Sequence, residues 1–236
     1  MACAQRGLRF VAVMPEGVSP ERIKLIAAFG AEIELTPKAG GIAASLARCE
    51  AIGQDCGAFL PCQFSNLDNA NAHRYGTAWE VVGQLPTDRI DAVVSGVGTG
   101  GTLVGLHQGL SDHGCRPRAV LAVPTTGNCF GDVECTSFSA AIPGVVDGLS
   151  RIFAEAALGD VRREQVDDLD CLAVTRRLLQ AGYPVGPSSG LNYLAAWRVA
   201  RELGEGAVVV TVFPDRVERY FSGALFDDDA LPDPLS

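Results

Sequence analysis

The stretch from Asp91 to Leu110 constrains the fold of this chain more than any other. An apolar run over residues 91–97 passes directly into Gly96-Val97-Gly98-Thr99-Gly100-Gly101-Thr102, and residues 103–110 continue as an amphipathic helix. A strand that hands over to a helix within so few residues belongs to a parallel sheet, because the helix must carry the chain back to begin the next strand. The rest of the sequence repeats the alternation. Apolar runs at 8–14, 32–36, 58–60, 119–123, 164–166 and 207–213 read as strands, and residues 42–52, 68–85, 168–180, 191–203 and 217–225 read as helices. Ser19-Pro20-Glu21 supplies a cap, a first-position proline and a first-turn acid for another helix that ends near Gly30. The fold class is therefore α/β, with parallel twisted sheets flanked by helices. The 236 residues suit one large domain or two smaller ones, and a boundary near residue 62 divides a smaller α/β domain, residues 1–62, from a larger one, residues 63–236.

Charge and cysteine usage narrow the function. With 19 basic against 28 acidic residues the formal charge is −9, which opposes binding to nucleic-acid backbones and anionic membranes. The eight cysteines are scattered singly, without a C-x-x-C pair or histidines at metal-ligand spacing, so free thiols are expected, with no metal site. No apolar run approaches the roughly 20 residues of a membrane-spanning helix, and the first residues lack a secretory signal, so a cytoplasmic setting is expected. Seventeen of the 19 basic residues are arginine, and any lysine chemistry must use Lys24 or Lys38.

Two glycine-rich turns invite chemical readings. Gly96, Gly98 and Gly101 fit the dinucleotide pattern G-x-G-x-x-G, but the following strand ends Ala122-Val123-Pro124 and lacks the acid that would hold a ribose. There is no G-K-[ST] after the turn, which removes the P-loop reading. What survives is general: free backbone N–H groups at a helix N-terminus make a cradle for a phosphate. The second turn, Gly186-Pro187-Ser188-Ser189-Gly190, fits the G-x-S-x-G elbow of hydrolases. Asp215 could follow Ser188 as the acid, yet His73, His107 and His113 all lie upstream, out of that fold's chain order.

Taken together, Met14-Pro15-Glu16, Ser19 to Arg22, Phe29-Gly30-Ala31, Gln63-Phe64-Ser65-Asn66 with His73 and Gly76, Val94 to Thr102, Gly186 to Gly190 and Pro214 to Ser222 resemble the pyridoxal-phosphate enzymes of the tryptophan-synthase-β fold, within them the cysteine synthase and cystathionine β-synthase group. The resemblance runs through most of the chain and implies a two-domain fold with pyridoxal 5′-phosphate as cofactor. It further implies that Gly98, Thr99, Gly100, Gly101 and Thr102 bind the cofactor phosphate. Ser188 would accept or donate a hydrogen bond at the pyridine nitrogen, and Gln63 would help to hold the carboxylate of an amino-acid substrate. The implied reaction is β-elimination from O-acetylserine or serine, followed by addition of a sulfur nucleophile, with the cofactor as electron sink. The group is usually dimeric.

One departure is large. The family carries its Schiff-base lysine in a P-x-x-S-x-K segment followed by an S-x-N-x-G turn, and neither motif occurs here. Lys24 and Lys38 read as solvated surface charges rather than the desolvated amine that such chemistry uses, so no residue of this chain is assigned a catalytic role. Met1 to Gly7 resembles the second half of the helix that follows the missing turn. The expectation is an N-terminally incomplete fold whose lysine segment comes from upstream or from a partner chain, leaving a sheet edge and apolar helix faces bare. A non-catalytic relative that uses the fold for binding or regulation, and a serine or threonine deaminase, are the alternatives. Residues 125–160, rich in Gly, Ser, Thr and Pro, are expected to select the nucleophile.

Overall fold

The computed structural model describes residues 1–87, 89–125, 150–154, 156–227 and 231–235. The expected selector loop falls mostly on residues 126–149, outside the described residues. A short helix α1 (Ala2–Gln5) precedes two strands, β1 (Val11–Pro15) and β2 (Glu32–Thr36), which pair in parallel with Val11 opposite Glu32 and Pro15 opposite Thr36. Helix α2 (Pro20–Ala28) connects them, and α3 (Gly41–Cys56) follows a 3-10 turn at Lys38–Gly40. Pro20 occupies the first helical position, as its fixed φ and missing N–H allow. The α3 helix stops where Gly57 takes a left-handed conformation at φ 65°, and inside this lobe the buried hydroxyls of Thr36 and Ser45 hydrogen bond at 2.7 Å. Phe10, Leu25, Phe29 and Leu35 are exposed on it.

The second sheet has the order β5-β4-β3-β6, all parallel, from β3 (Ala92–Ser95), β4 (Arg118–Pro124), β5 (Arg162–Val166) and β6 (Val209–Thr211). Its two central strands are buried on both faces, as continuous apolar runs require in a sheet covered by helices. Alternate residues divide between two cores. Ala92, Val94, Val120 and Ala122 pack with Leu172, Leu191, Leu194 and Val199 of α8 (Asp168–Gln180) and α9 (Pro187–Leu203). Val93, Leu121 and Val123 pack with Leu103, Leu106 and Leu110 of α6 (Gly101–Asp112) and with Ala78 of α5 (Ala78–Gln84). Leu103, Leu106 and Leu110 are fully enclosed, and such burial contributes about 2 kcal/mol per leucine. Asp167 caps α8 by accepting from the Leu169 N–H at 2.9 Å.

Residues 68–85, expected as one helix, form α4 (Asp68–Ala72), a π-helical turn at His73–Thr77 and then α5, which ends at Gln84. A short helix α7 (Arg151–Ala154) lies between β4 and β5. Three expectations are corrected. Residues 58–60 form no strand, and Phe59 stands 84% exposed. The helix expected from residue 191 begins at Pro187, so that Ser188, Ser189 and Gly190 form its first turn. In place of a helix over 217–225 there are two 3-10 turns, Val217–Arg219 and Ala224–Phe226, separated by residues 220–223. The strand and helix expectations elsewhere hold to within a few residues.

The first lobe is joined to the last turns of the chain. Ser19 makes no capping bond, and its hydroxyl instead donates to the Arg219 carbonyl at 3.2 Å. Close by, the Ser222 hydroxyl donates to the Glu21 carboxylate at 2.9 Å.

Candidate functional site

β3 delivers the chain to its C-terminal end at Ser95, and the glycine-rich turn begins at once. The Gly96 N–H donates to Asn192 Oδ1 at 2.7 Å, while Asn192 Nδ2 donates to the Val212 carbonyl at 2.9 Å. Asn192 stands one helical turn beyond Ser188 on α9, so this buried side chain fastens the two glycine-rich turns to each other.

The turn itself is closely supported. Gly100 caps α6 at φ 85°, and a Cβ there would come within 2.8 Å of Phe153 Cβ. At Gly101 a Cβ would meet Asn69 Oδ1 at 2.1 Å. Both positions therefore need glycine, one for its backbone and one for its lack of a side chain. Thr99 is held twice, its Oγ1 accepting from Asn69 Nδ2 at 2.8 Å and its carbonyl accepting from the Ser150 hydroxyl at 2.6 Å. The Thr102 hydroxyl shares a hydrogen bond of 3.1 Å with His73 Nε2, and His73 Nδ1 contacts the Thr77 hydroxyl at 3.0 Å. Burial lowers the His73 pKa below its ordinary value. The π-helical turn sets the imidazole against the loop, a frequent placement for such turns.

A Cβ at Gly98 would meet nothing within 4 Å, so this side of the turn is open. The first-turn N–H groups of α6 have no intrahelical partner, and the helix adds a partial positive charge to them. The donor set fits a phosphate. Gln63 is exposed, and its carbonyl accepts from Asn69 Nδ2 at 2.8 Å, which ties its turn to Thr99. Cys62 before it takes φ 51°, with its carbonyl accepting from the N–H groups of Ser65 and Asn66. A left-handed non-glycine residue is strained by roughly 1–2 kcal/mol and marks a turn that its surroundings hold in place.

Ser188 lies in the first turn of α9, and its hydroxyl donates to Asp215 Oδ1 at 3.4 Å. Asp215 also accepts from the Tyr220 hydroxyl at 2.5 Å and has Arg219 at 3.9 Å. Burial pushes the Asp215 pKa up, against the lowering effect of Tyr220, Arg219, Ser188 and Arg22. Serine meets the carboxylate directly, with no imidazole between them, as a hydrolase relay would require. Ring-nitrogen recognition needs only a hydroxyl at this place, so Ser188 also fits the cofactor.

The structure thus brings Gly98, Thr99, Gly100, Gly101 and Thr102 into one turn, joins Ser188 to that turn through Asn192, and joins Gln63 to it through Asn69. Lys24 and Lys38 are exposed on the first lobe. Among the described residues no His, Cys, Asp or Glu cluster could hold a metal ion, and no helix is long and apolar enough to cross a membrane. Sequence reading missed Asn69, Asn192, Ser150 and the Asp215–Tyr220 pair. Asparagine is a weak helix former, and its presence inside residues 68–72 and 187–203 was the one available signal.

A parallel α/β sheet with a glycine-rich turn into a helix at the C-terminal end of a central strand, and a second helix start brought beside it, is the arrangement of a class of nucleotide- and cofactor-binding folds. The family is narrower: residues 1–215 match the pyridoxal-phosphate dependent enzymes, and the chain belongs to that family. It is 34% identical over 233 residues to cysteine synthase B of Campylobacter jejuni, covering 96% of this chain and 74% of the relative. It is 33% identical over 231 residues to cysteine synthase of Staphylococcus aureus, covering 96% and 73%. Among solved structures, the O-acetylserine-dependent cystathionine β-synthase of Helicobacter pylori is similar with a TM-score of 0.81 and 28% identity, over 95% of this chain and 72% of that one. A hydrogen sulfide-producing enzyme of Fusobacterium nucleatum gives 0.82 and 32%, over 98% and 70%.

Proposed function

We propose that this chain holds pyridoxal 5′-phosphate for β-elimination and β-replacement on O-acetylserine or serine, with a sulfur nucleophile. The observation that carries the reading is the conjunction of two turns: the phosphate cradle at Gly98, Thr99, Gly100, Gly101 and Thr102, and Ser188 on a helix fastened to that cradle by Asn192. The cofactor, when bound, supplies an electron sink for the substrate carbanion. The protein's share is binding and orientation. The cradle anchors the phosphate, Thr102 is positioned by His73, Ser188 meets the ring nitrogen, and Gln63 engages the substrate carboxylate.

Neither lysine of this chain supplies the amine. Both are exposed on the first lobe, whereas an amine reactive at neutral pH needs desolvation to lower its pKa. The same observation favours a second reading, in which the chain binds the cofactor without catalysing turnover. The names of the relatives favour O-acetylserine over a threonine deaminase. We further propose a boundary near residue 62 between the lobes and a homodimeric assembly, which limited proteolysis and sedimentation test.

Equilibrium binding of pyridoxal 5′-phosphate tests the central claim. Gly98→Asp sets a carboxylate on the open side of the cradle and should weaken binding at least about tenfold, with circular dichroism unchanged. Equal affinity in Gly98→Asp and wild type would refute the cradle. Borohydride reduction should leave Lys24 and Lys38 without stoichiometric pyridoxyl label. Labelling of either refutes the exclusion of the lysines, and turnover of O-acetylserine with sulfide decides between the two readings.

A further inference from the structure

Cys49 on α3 and Cys62 at the turn before Gln63 are free thiols that the proposed function leaves unused. The chain between them doubles back. α3 ends at Cys56, and Gly57 at φ 65° reverses its direction. Leu60 then lies against Gly53, where a Cβ would meet Leu60 Cδ1 at 3.0 Å, so the segment after Gly57 retraces the last turn of the helix. Cys49 sits one turn before Gly53 on the same face of α3, about 6 Å back along its axis. Two residues of extended chain, from Leu60 to position 62, cover about the same distance. This register sets the Cys62 thiol beside Cys49. The electrostatics agree with it: burial raises the Cys49 pKa above its ordinary value, and the neighbouring Glu34, Cys62 and Glu50 act in the same direction. Cys56 is no partner for Cys49, because two turns of helix hold them about 10 Å apart, farther than a disulfide reaches.

The backbone at Cys62 is a second observation. Its φ is 51°, and no other non-glycine residue among those described takes a positive φ. Glycine would adopt this conformation without strain, so a thiol here carries a backbone cost, and such costs gather at functional positions. We propose that Cys49 and Cys62 form a reversible disulfide by exchange with a small-molecule disulfide, and that the bond clamps α3 to the turn that carries Gln63. Cys62 is exposed and Cys49 half-buried, so Cys62 reacts first. Its thiolate attacks one sulfur of the small disulfide, forming a mixed disulfide and releasing one small thiol. The Cys49 thiolate then attacks the Cys62 sulfur and releases the second. Two protein thiols are oxidised, one small disulfide is reduced, and an excess of small thiol reverses both steps. The clamp reaches the glycine-rich turn, since the Cys62 carbonyl holds the N–H groups of Ser65 and Asn66 while Asn69 joins the Gln63 carbonyl to Thr99.

Oxidised glutathione is the probe. The full chain is equilibrated with it, its remaining thiols are blocked, and the denatured protein is digested. Trypsin leaves Cys49, Cys56 and Cys62 on one peptide, residues 49–74, and chymotrypsin then cuts that peptide after Phe59. Only a bridge across Phe59 keeps the two pieces joined until reduction. They should stay joined in the wild type and in Cys56→Ser. Adding Cys49→Ser to Cys56→Ser should separate them and leave a glutathione adduct on Cys62. The bond closes a loop of about 14 residues, so the bridged chain should melt roughly 6–12 °C above the reduced one, and dithiothreitol should restore the lower Tm. Pieces that separate in the wild type or in Cys56→Ser overturn the proposal. So does a bridge found only in disulfide-linked dimers, an unmodified Cys62 in the double variant, or equal melting of the bridged and reduced chains.

Discussion

Removing Asn192 should separate the two halves of the site. Its side chain is 1% exposed and makes two bonds, accepting from the Gly96 N–H at 2.7 Å and donating to the Val212 carbonyl at 2.9 Å. Each bond has a net worth of about 1 kcal/mol, and an orphaned buried N–H or C=O adds its own desolvation cost, so Asn192→Ala should lose about 3 kcal/mol in total. For a chain of this size that corresponds to a fall in Tm of roughly 6–12 °C. Urea unfolding followed by circular dichroism reads the loss, and titration with pyridoxine 5′-phosphate should show weaker binding, since the hydrogen bond that ties α9 to Gly96 is then gone. Asn192→Asp gives a sharper signature. It keeps an acceptor for Gly96 but sets a carboxylate oxygen against the Val212 carbonyl, and only its protonated form restores a donor there. Stability of Asn192→Asp relative to wild type should therefore improve as pH falls. A change below about 0.5 kcal/mol in Asn192→Ala, the range of ordinary surface substitutions, would refute the view that this residue fastens the turns.

Packing of α6 on α4 gives a second prediction: a Cβ at Gly105 would lie 2.2 Å from the Ala70 carbonyl oxygen, so Gly105→Ala should destabilise by about 1–3 kcal/mol, read by the same unfolding assay. At Gly190 a Cβ would lie 2.2 Å from the Cys171 carbonyl oxygen, and Gly190→Ala should push α9 from α8 and weaken cofactor binding together with stability, whereas Gly105→Ala acts on stability first. Asp91 accepts from the Val208 N–H at 2.9 Å and pairs with Arg89, and these contacts, led by the Val208 bond, hold its pKa below the usual carboxylate value. Its contribution is present above the unfolded-state pKa and lost as pH falls through the lower folded-state value. The acid limb of a Tm profile should accordingly be shallower in Asp91→Asn than in wild type.

The legible parts of this fold were those governed by local physics. Residues 91–102 announce a strand, a turn and a helix start because consecutive glycines and an apolar run leave few alternatives, and the structure places all of them as expected. The start of α9 was misread because Ser188, Ser189 and Gly190 look like turn residues. Pro187 nonetheless suits a first helical position, and Gly190 is small for a tertiary reason, the nearness of Cys171 and Thr175. The helix expected at 217–225 is broken because Val217 is bonded to Pro184 and Tyr220 to Asp215. Asn69 and Asn192 were silent for the same cause: single polar residues joining segments 30 and 96 residues apart in sequence leave no periodic trace. The residues of the glycine-rich turn were thus readable in the sequence, while the residues that hold the turn in place were not.

The bonds from Ser19 to Arg219 and from Glu21 to Ser222 bridge sequence separations of 200 and 201 residues. Closing so long a flexible loop costs about 5 kcal/mol in chain entropy, and two such bonds return about 2 kcal/mol. They cannot form first. The lobes must already be built for these partners to meet, which puts the seam on the native side of the folding barrier, where weakening it speeds unfolding and leaves the folding rate almost untouched. The two ends of the chain therefore act as a latch on the lifetime of the assembled protein, and the same last turns that close it carry the carboxylate beside Ser188.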